Sequence, residues 1–177
     1  MNQITTSQTI GPFSHEAWQW AVDASLPDTV KATGPTVLVS GSIFDGDGNP
    51  INDAQIEAWT PQAAAAEPGQ MIPGFRRAPS GEGGEFSMRV SLPAQPAQGE
   101  PAIYVTVFAR GLVKHQFTAV FLEDDAGLAQ SGILNQVPEA RRATLLARRM
   151  GDGRGELSYR WDIRMQGEQE TVFFDYV

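Results

Sequence analysis

Between Pro101 and Leu122 apolar residues recur with a period of two. Ile103, Val105, Val107 and Ala109 are all apolar, while Ala102, Tyr104, Thr106, Phe108 and Arg110 are mixed. That alternation predicts a strand with one face on a core. A second β-rich run, Lys114 to Leu122, follows the Arg110-Gly111 pair. Arg110 ends the mixed face, either as a solvated strand end or as a ligand for an anion.

The same patterning predicts strands over Thr36 to Phe44, Ala54 to Trp59, Glu85 to Leu92, Leu157 to Met165 and Thr171 to Asp175. The turn Asp45 to Pro50 joins the first two of these into a hairpin-like unit. Thr60 to Ser80, with its alanine run and prolines, reads as loop, and Pro93 to Gly99 punctuates the chain again. Pro138 to Met150 predicts a helix: Pro138 suits the first turn, Glu139 and Arg148-Arg149 complement the dipole, and Gly151 stands at the C′ position. Ser14 caps a shorter predicted helix, His15 to Ala24, anchored by Trp18 and Trp20 and limited by Pro27. Met1 to Pro12 has no periodicity and reads as a frayed terminus or an arm that orders against something else.

About seven strands without βαβ alternation predict an all-β fold, an antiparallel two-sheet β-sandwich. A short N-terminal helical arm and one helix in the C-terminal half decorate it. Residues 1–35 form the arm and linker that pack on a partner, and residues 36–177 the sandwich core.

Composition narrows the function classes. The 177 residues favour one domain large enough to bury a core. A formal charge of −8 argues against nucleic acid, so any anion site must be local. No apolar run approaches membrane-spanning length, no basic-then-apolar leader opens the chain, and cysteine is absent. A reducing, cytoplasmic location is the expectation.

Candidate chemistry is sparse. Asp45, Asp47 and Asn49 occupy alternate places of a calcium-loop pattern, but Pro50 and Ile56 stand where glycine and glutamate belong, so a hairpin turn is the better reading. Only His15 and His115 are present, without neighbouring metal-ligand partners. A Ser-His-Asp arrangement on His115 lacks a nucleophile elbow. Arg76, Arg77, Arg110, Arg141, Arg142, Arg148, Arg149, Arg160 and Arg164 form no run suited to nucleic acid. Arg110 differs because it follows an apolar strand into a glycine turn, where a planar guanidinium can grip a carboxylate.

Three segments carry a resemblance: Ser7-Gln8-Thr9-Ile10-Gly11-Pro12-Phe13, Phe108-Ala109-Arg110-Gly111, and the tail Trp161 to Asp175. Together they resemble the intradiol ring-cleaving dioxygenases. The resemblance implies a nonheme ferric ion, Fe(III), bound in a catalytic chain by two tyrosines and a His-x-His strand motif. Aligned on Phe108 to Gly111, that motif falls at Ala102-Ile103-Tyr104, where both histidines are missing. Thr60 to Ser80 and Pro93 to Glu100 also lack the tyrosines. The resemblance thus implies an iron-free alpha-type subunit, with no metal ligands and no catalytic residue of its own. Iron would sit on a homologous beta subunit in a large hetero-oligomer. The substrate would be a small aromatic acid, 3,4-dihydroxybenzoate, cleaved with dioxygen to 3-carboxy-cis,cis-muconate. The residues implied to line the cleft are Thr9, Gly11, Pro12, Phe13 and Arg110, with Phe13 standing where a tyrosine is expected. The alternative is an iron-free β-sandwich acting as a binding or scaffold protein.

Overall fold

The computed structural model describes residues 19–24, 31–150 and 157–175. Its organising element is β1 (Thr36–Phe44), in which Val37, Val39, Gly41 and Ile43 are buried and the residues between them are not. One edge of β1 pairs antiparallel with β4 (Glu85–Ser91), from Thr36↔Ser91 to Ser42↔Glu85. The other edge pairs parallel with β8 (Leu157–Arg160) and then with the two-residue β9 (Ile163–Arg164). A second group holds β2 (Gln55–Trp59), β3 (Phe75–Pro79), β5 (Ile103–Phe108) and β6 (Gln116–Leu122), all antiparallel. β7 (Leu146–Met150) joins the groups. It pairs parallel with β6 at Phe121↔Leu146 and Leu122↔Ala147, and antiparallel with β8.

The result is one nine-stranded sheet, ordered β3-β2-β5-β6-β7-β8-β1-β4, with β9 on β1. It curls into a half-barrel until its two ends meet, where Arg76 on β3 donates a hydrogen bond to the Arg89 carbonyl on β4. The concave face holds the main core, including Val37, Val39, Ile56, Val90, Ile103, Val105, Val107, Trp161 and Ile163. Each such aliphatic side chain contributes about 1.5–3 kcal/mol on burial. A smaller core lies on the opposite face of β5–β6. There Ala119, Phe121, Leu134, Val137 and Leu145 pack with Tyr104 beneath the segment 123–145. Burial on both faces makes Thr118 to Phe121 continuously buried.

This arrangement corrects the expected antiparallel two-sheet sandwich: the sheet is mixed and continuous. Parallel pairing does not require βαβ units. The return from β6 to β7 runs through two 3₁₀ turns (Leu128–Gln130 and Leu134–Gln136), the short helix α3 (Glu139–Arg142) and a third 3₁₀ turn (Ala143–Leu145). That length suffices for a parallel crossover. The predicted helix Pro138 to Met150 is therefore only α3. Leu146 onward becomes the strand that bridges β6 and β8, because tertiary pairing outweighs local helix propensity. The N-terminal helical arm is likewise not shown. α1 covers six residues, Gln19–Ala24, and the preceding residues lie outside those described. The expected loop Thr60 to Ser80 contains α2 (Ala63–Ala66) and β3. The expected strand Leu157 to Met165 breaks into β8 and β9, and Thr171 to Asp175 forms only a single bridge, Phe117↔Phe174.

Candidate functional site

Arg110 leaves the end of β5 in a tight turn. Leu112 N–H donates to the Ala109 carbonyl, and Gly111 has φ of +90°, which a glycine adopts without strain. The turn holds the guanidinium out from the sheet: the Arg110 side chain is 69% exposed, with its Nε 3.0 Å from Asp53 Oδ2. An ion pair this open contributes little to stability and can be exchanged for another carboxylate. Around the turn stand Phe108, His115 and Phe117, with the His115 ring 5.4 Å from that of Phe108 and edge-on to Phe117 at 4.5 Å. His115 thus sits in an aromatic stack rather than beside a nucleophile. Gln55 pairs across β2–β5 with Phe108 and is 2% exposed, yet neither atom of its amide finds a hydrogen-bond partner. A buried amide without partners is costly and marks a place where a polar group is wanted.

The other end of the same β5 face carries Ala102 and Tyr104. Six residues of extended chain, roughly 20 Å, separate Tyr104 from Arg110. Tyr104 and Ala102 line a cavity of about 570 Å³ walled by Pro61, Gln62, Leu92, Pro96 and Asp124. Gln62 holds a left-handed backbone conformation there, with φ of 56°, as N-cap of α2.

Two polar clusters shape this cavity. In the first, Glu67 is fully buried and ion-paired to Arg76, itself 4% exposed, and also accepts the Gly74 N–H at 2.6 Å. Burial pushes the Glu67 carboxyl up, but the hydrogen bonds from Arg76, Ser91 and Gly74 outweigh it and hold the pKa below 4.5. This pair ties the loop carrying Pro61 and Gln62 to the meeting point of β3 and β4. In the second, Asp125 accepts the Gly99 and Gly127 N–H groups at 2.7 and 2.8 Å, clasping the 92–101 loop to the acidic turn. Beside it Tyr159 donates its hydroxyl to Asp124 at 3.0 Å. Burial, followed by that carboxylate, pushes the Tyr159 phenol up to about 12.

No group of three or more His, Cys, Asp or Glu side chains among the described residues is placed to hold a metal ion. At the aligned motif positions stand a methyl group and a phenol, so these residues do not fit the iron the resemblance implies. The site residues expected from sequence are thus divided. Arg110 is described and presented at a turn, whereas Thr9, Gly11, Pro12 and Phe13 lie outside the described residues. Asp53 and Gln55 were not anticipated. No sequence signal marks them: Gln55 comes opposite Phe108 only through β2–β5 pairing, and Asp53, just before β2, meets Arg110 only in the fold.

No protein-family model matches the chain. Among curated proteins it is 36% identical over 190 residues to the protocatechuate 3,4-dioxygenase alpha chain of Burkholderia cepacia, covering 97% of this chain and 96% of that one. It is 32% identical over 200 residues to the alpha chain of Pseudomonas putida, with the same coverages. The Burkholderia cepacia beta chain matches at 24% identity over 93% of this chain and 77% of its own length. Among solved structures, the dioxygenase domain of a dioxygenase–carbohydrate-binding fusion from Streptomyces sp. SirexAA-E superposes with a TM-score of 0.60 at 16% identity, over 80% of this chain and 84% of that chain. Catechol 1,2-dioxygenase from Pseudomonas arvilla C-1 gives 0.58 at 17% identity, over 79% and 55%. These structural likenesses show a shared fold.

Proposed function

The chain belongs to the protocatechuate 3,4-dioxygenase alpha-chain family of the intradiol dioxygenases, and from that premise we propose that it is the iron-free subunit of such an enzyme. The near full-length similarity carries this reading. The enzyme cleaves 3,4-dihydroxybenzoate with dioxygen to 3-carboxy-cis,cis-muconate, in a hetero-oligomer with an iron-bearing beta chain. Nonheme ferric iron belongs to that partner, and no chemical step falls to this chain's own atoms. The Burkholderia cepacia beta chain aligns with this one over most of both lengths, which supports pairing of like folds.

This chain's work is positioning. Arg110 offers a charge that turns outward from its own sheet, and the substrate carries a carboxylate at neutral pH. A charge-assisted contact of that kind, shielded from water in an assembled cleft, contributes about 1.5–3 kcal/mol. Asp53 holds the guanidinium in the meantime, and the unpartnered amide of Gln55 lies one cross-strand pair away. The arm residues Thr9, Gly11, Pro12 and Phe13 complete the cleft in this reading, with Gly11 and Pro12 allowing close backbone approach.

Arg110→Ala in the reconstituted complex tests it. Catalytic efficiency, kcat/KM, falls about ten- to a hundredfold while iron content and assembly stay unchanged. Unaltered kinetics refute the role of Arg110. Purifying the chain alone and with a beta chain tests the subunit assignment itself: turnover must require both.

A further inference from the structure

The cleft between β7, β8 and the 162–171 segment concentrates positive charge in a strongly acidic chain. Arg148 on β7 and Arg160 on β8 are direct cross-strand partners in the antiparallel ladder, on the face turned away from the core. Like charges placed opposite one another on neighbouring strands repel. Arg141 and Arg164 line the same cavity, whose volume is about 580 Å³. Against these four guanidinium groups stand two carboxylates, Asp162 and Glu168. Asp162 is already engaged by Arg160 at 2.8 Å and by the Ser42 N–H at 3.0 Å.

Apart from Arg160, which Asp162 engages, these arginines have no carboxylate partner among the described residues. Arg164 lies over the Phe44 ring, 5.1 Å from its centroid. Arg141 donates Nη2 to the Glu170 carbonyl at 2.6 Å, but its buried Nε has no acceptor. Arg148 has no acceptor among the described residues. The floor, by contrast, is satisfied: Trp161 Nε1 donates to the Thr144 carbonyl at 2.9 Å, and the Thr144 hydroxyl donates to the Arg141 carbonyl at 2.8 Å. A rigid, internally satisfied floor under guanidinium groups that keep free N–H donors is the arrangement that recognises a planar or tetrahedral oxyanion through paired N–H donors.

We propose that this cleft is a binding site for a small multivalent oxyanion, a phosphate or polycarboxylate, separate from the Arg110 turn. The volume suits a small ligand rather than a polymer. Bound anion relieves the Arg148–Arg160 repulsion and supplies the acceptor that Arg141 Nε and Arg148 lack.

Calorimetric titration of the assembled complex with inorganic phosphate and with citrate, in chloride buffer, tests the proposal and separates the two ligand sources. At least one probe binds with one site per copy of this chain. Arg148→Gln weakens that probe about tenfold or more, Arg148→Lys keeps most of the affinity, and aromatic-acid turnover stays at the parental rate in both. In chloride alone Arg148→Gln melts at or above the parent, because it removes a repulsion and no partner. Failure of both probes to bind overturns the proposal, as does equal affinity in Arg148→Gln. Loss of assembly in Arg148→Gln also overturns it, since a partner chain's acidic group would then be the occupant.

Discussion

The buried pair Glu67–Arg76 offers the most direct test of how the curled sheet is held closed. Arg76 is 4% exposed and Glu67 fully buried. Arg76 reaches both oxygens of Glu67, the Phe75 and Arg89 carbonyls and the Ser91 hydroxyl. Arg76→Met keeps most of the side-chain volume but strips Glu67 of its charged partner, leaving only the Gly74 N–H and the Ser91 hydroxyl. Stranding one partner of a buried pair costs about 3–5 kcal/mol. For a domain of this size each kcal/mol lowers Tm by about 2–4 °C, so Arg76→Met melts roughly 6–20 °C below the parent. Circular dichroism melts at a fixed protein concentration measure this, because assembly makes Tm concentration-dependent. Glu67→Leu combined with Arg76→Met recovers much of the loss, since it strands no charge. The folded pKa of Glu67 lies below its ordinary 4.5. Its contribution is therefore present above pH 4.5 and lost as pH falls through the depressed value. Arg76→Met flattens that part of the acid limb. An Arg76→Met chain that melts within a few degrees of the parent refutes the reasoning.

Two further substitutions probe the other joins. A Cβ on Gly41 would meet the Trp161 carbonyl oxygen at 1.7 Å, where β1 passes from β8 to β9. Gly41→Ala therefore costs on the order of 3 kcal/mol, read from urea unfolding, and a change below about 1 kcal/mol shows that the strands separate freely. Tyr159→Phe removes the hydroxyl that meets Asp124 and costs about 1–2 kcal/mol. Because the folded phenol is raised to about 12 from 10.0, the parent holds its full stability below pH 10 and loses part of it between pH 10 and about 12. Tyr159→Phe lacks that alkaline decline. An identical decline in both proteins assigns it to other groups.

Period-two patterning located the strands whose inner faces meet the main core. Val37, Val39, Ile103, Val105 and Val107 are buried where their alternation places them. β3 was hidden because its most buried charged residue, Arg76, looks solvated until Glu67 is brought to it. β7 was hidden because Arg148, Arg149 and Met150 are exposed, so no apolar alternation marks them. Arg110 was singled out by its glycine turn and the family motif around it, and the structure presents it exposed at that turn. Asp53 and Gln55 were not singled out, since their places near it arise only from the fold.

The sequence by itself determined the family, the absence of the aligned imidazoles at Ala102 and Tyr104, and the β-rich class. These follow from residue identity and local period, which need no partner strand to be read. Tertiary structure alone decided that the sheet is mixed and continuous, and that its ends meet at Arg76. It also decided that Arg148 faces Arg160 and that Arg110 stands a strand length away from Tyr104. Strand order, direction and register depend on which long-range pairings bury the most surface and satisfy the backbone, and local sequence does not encode that comparison.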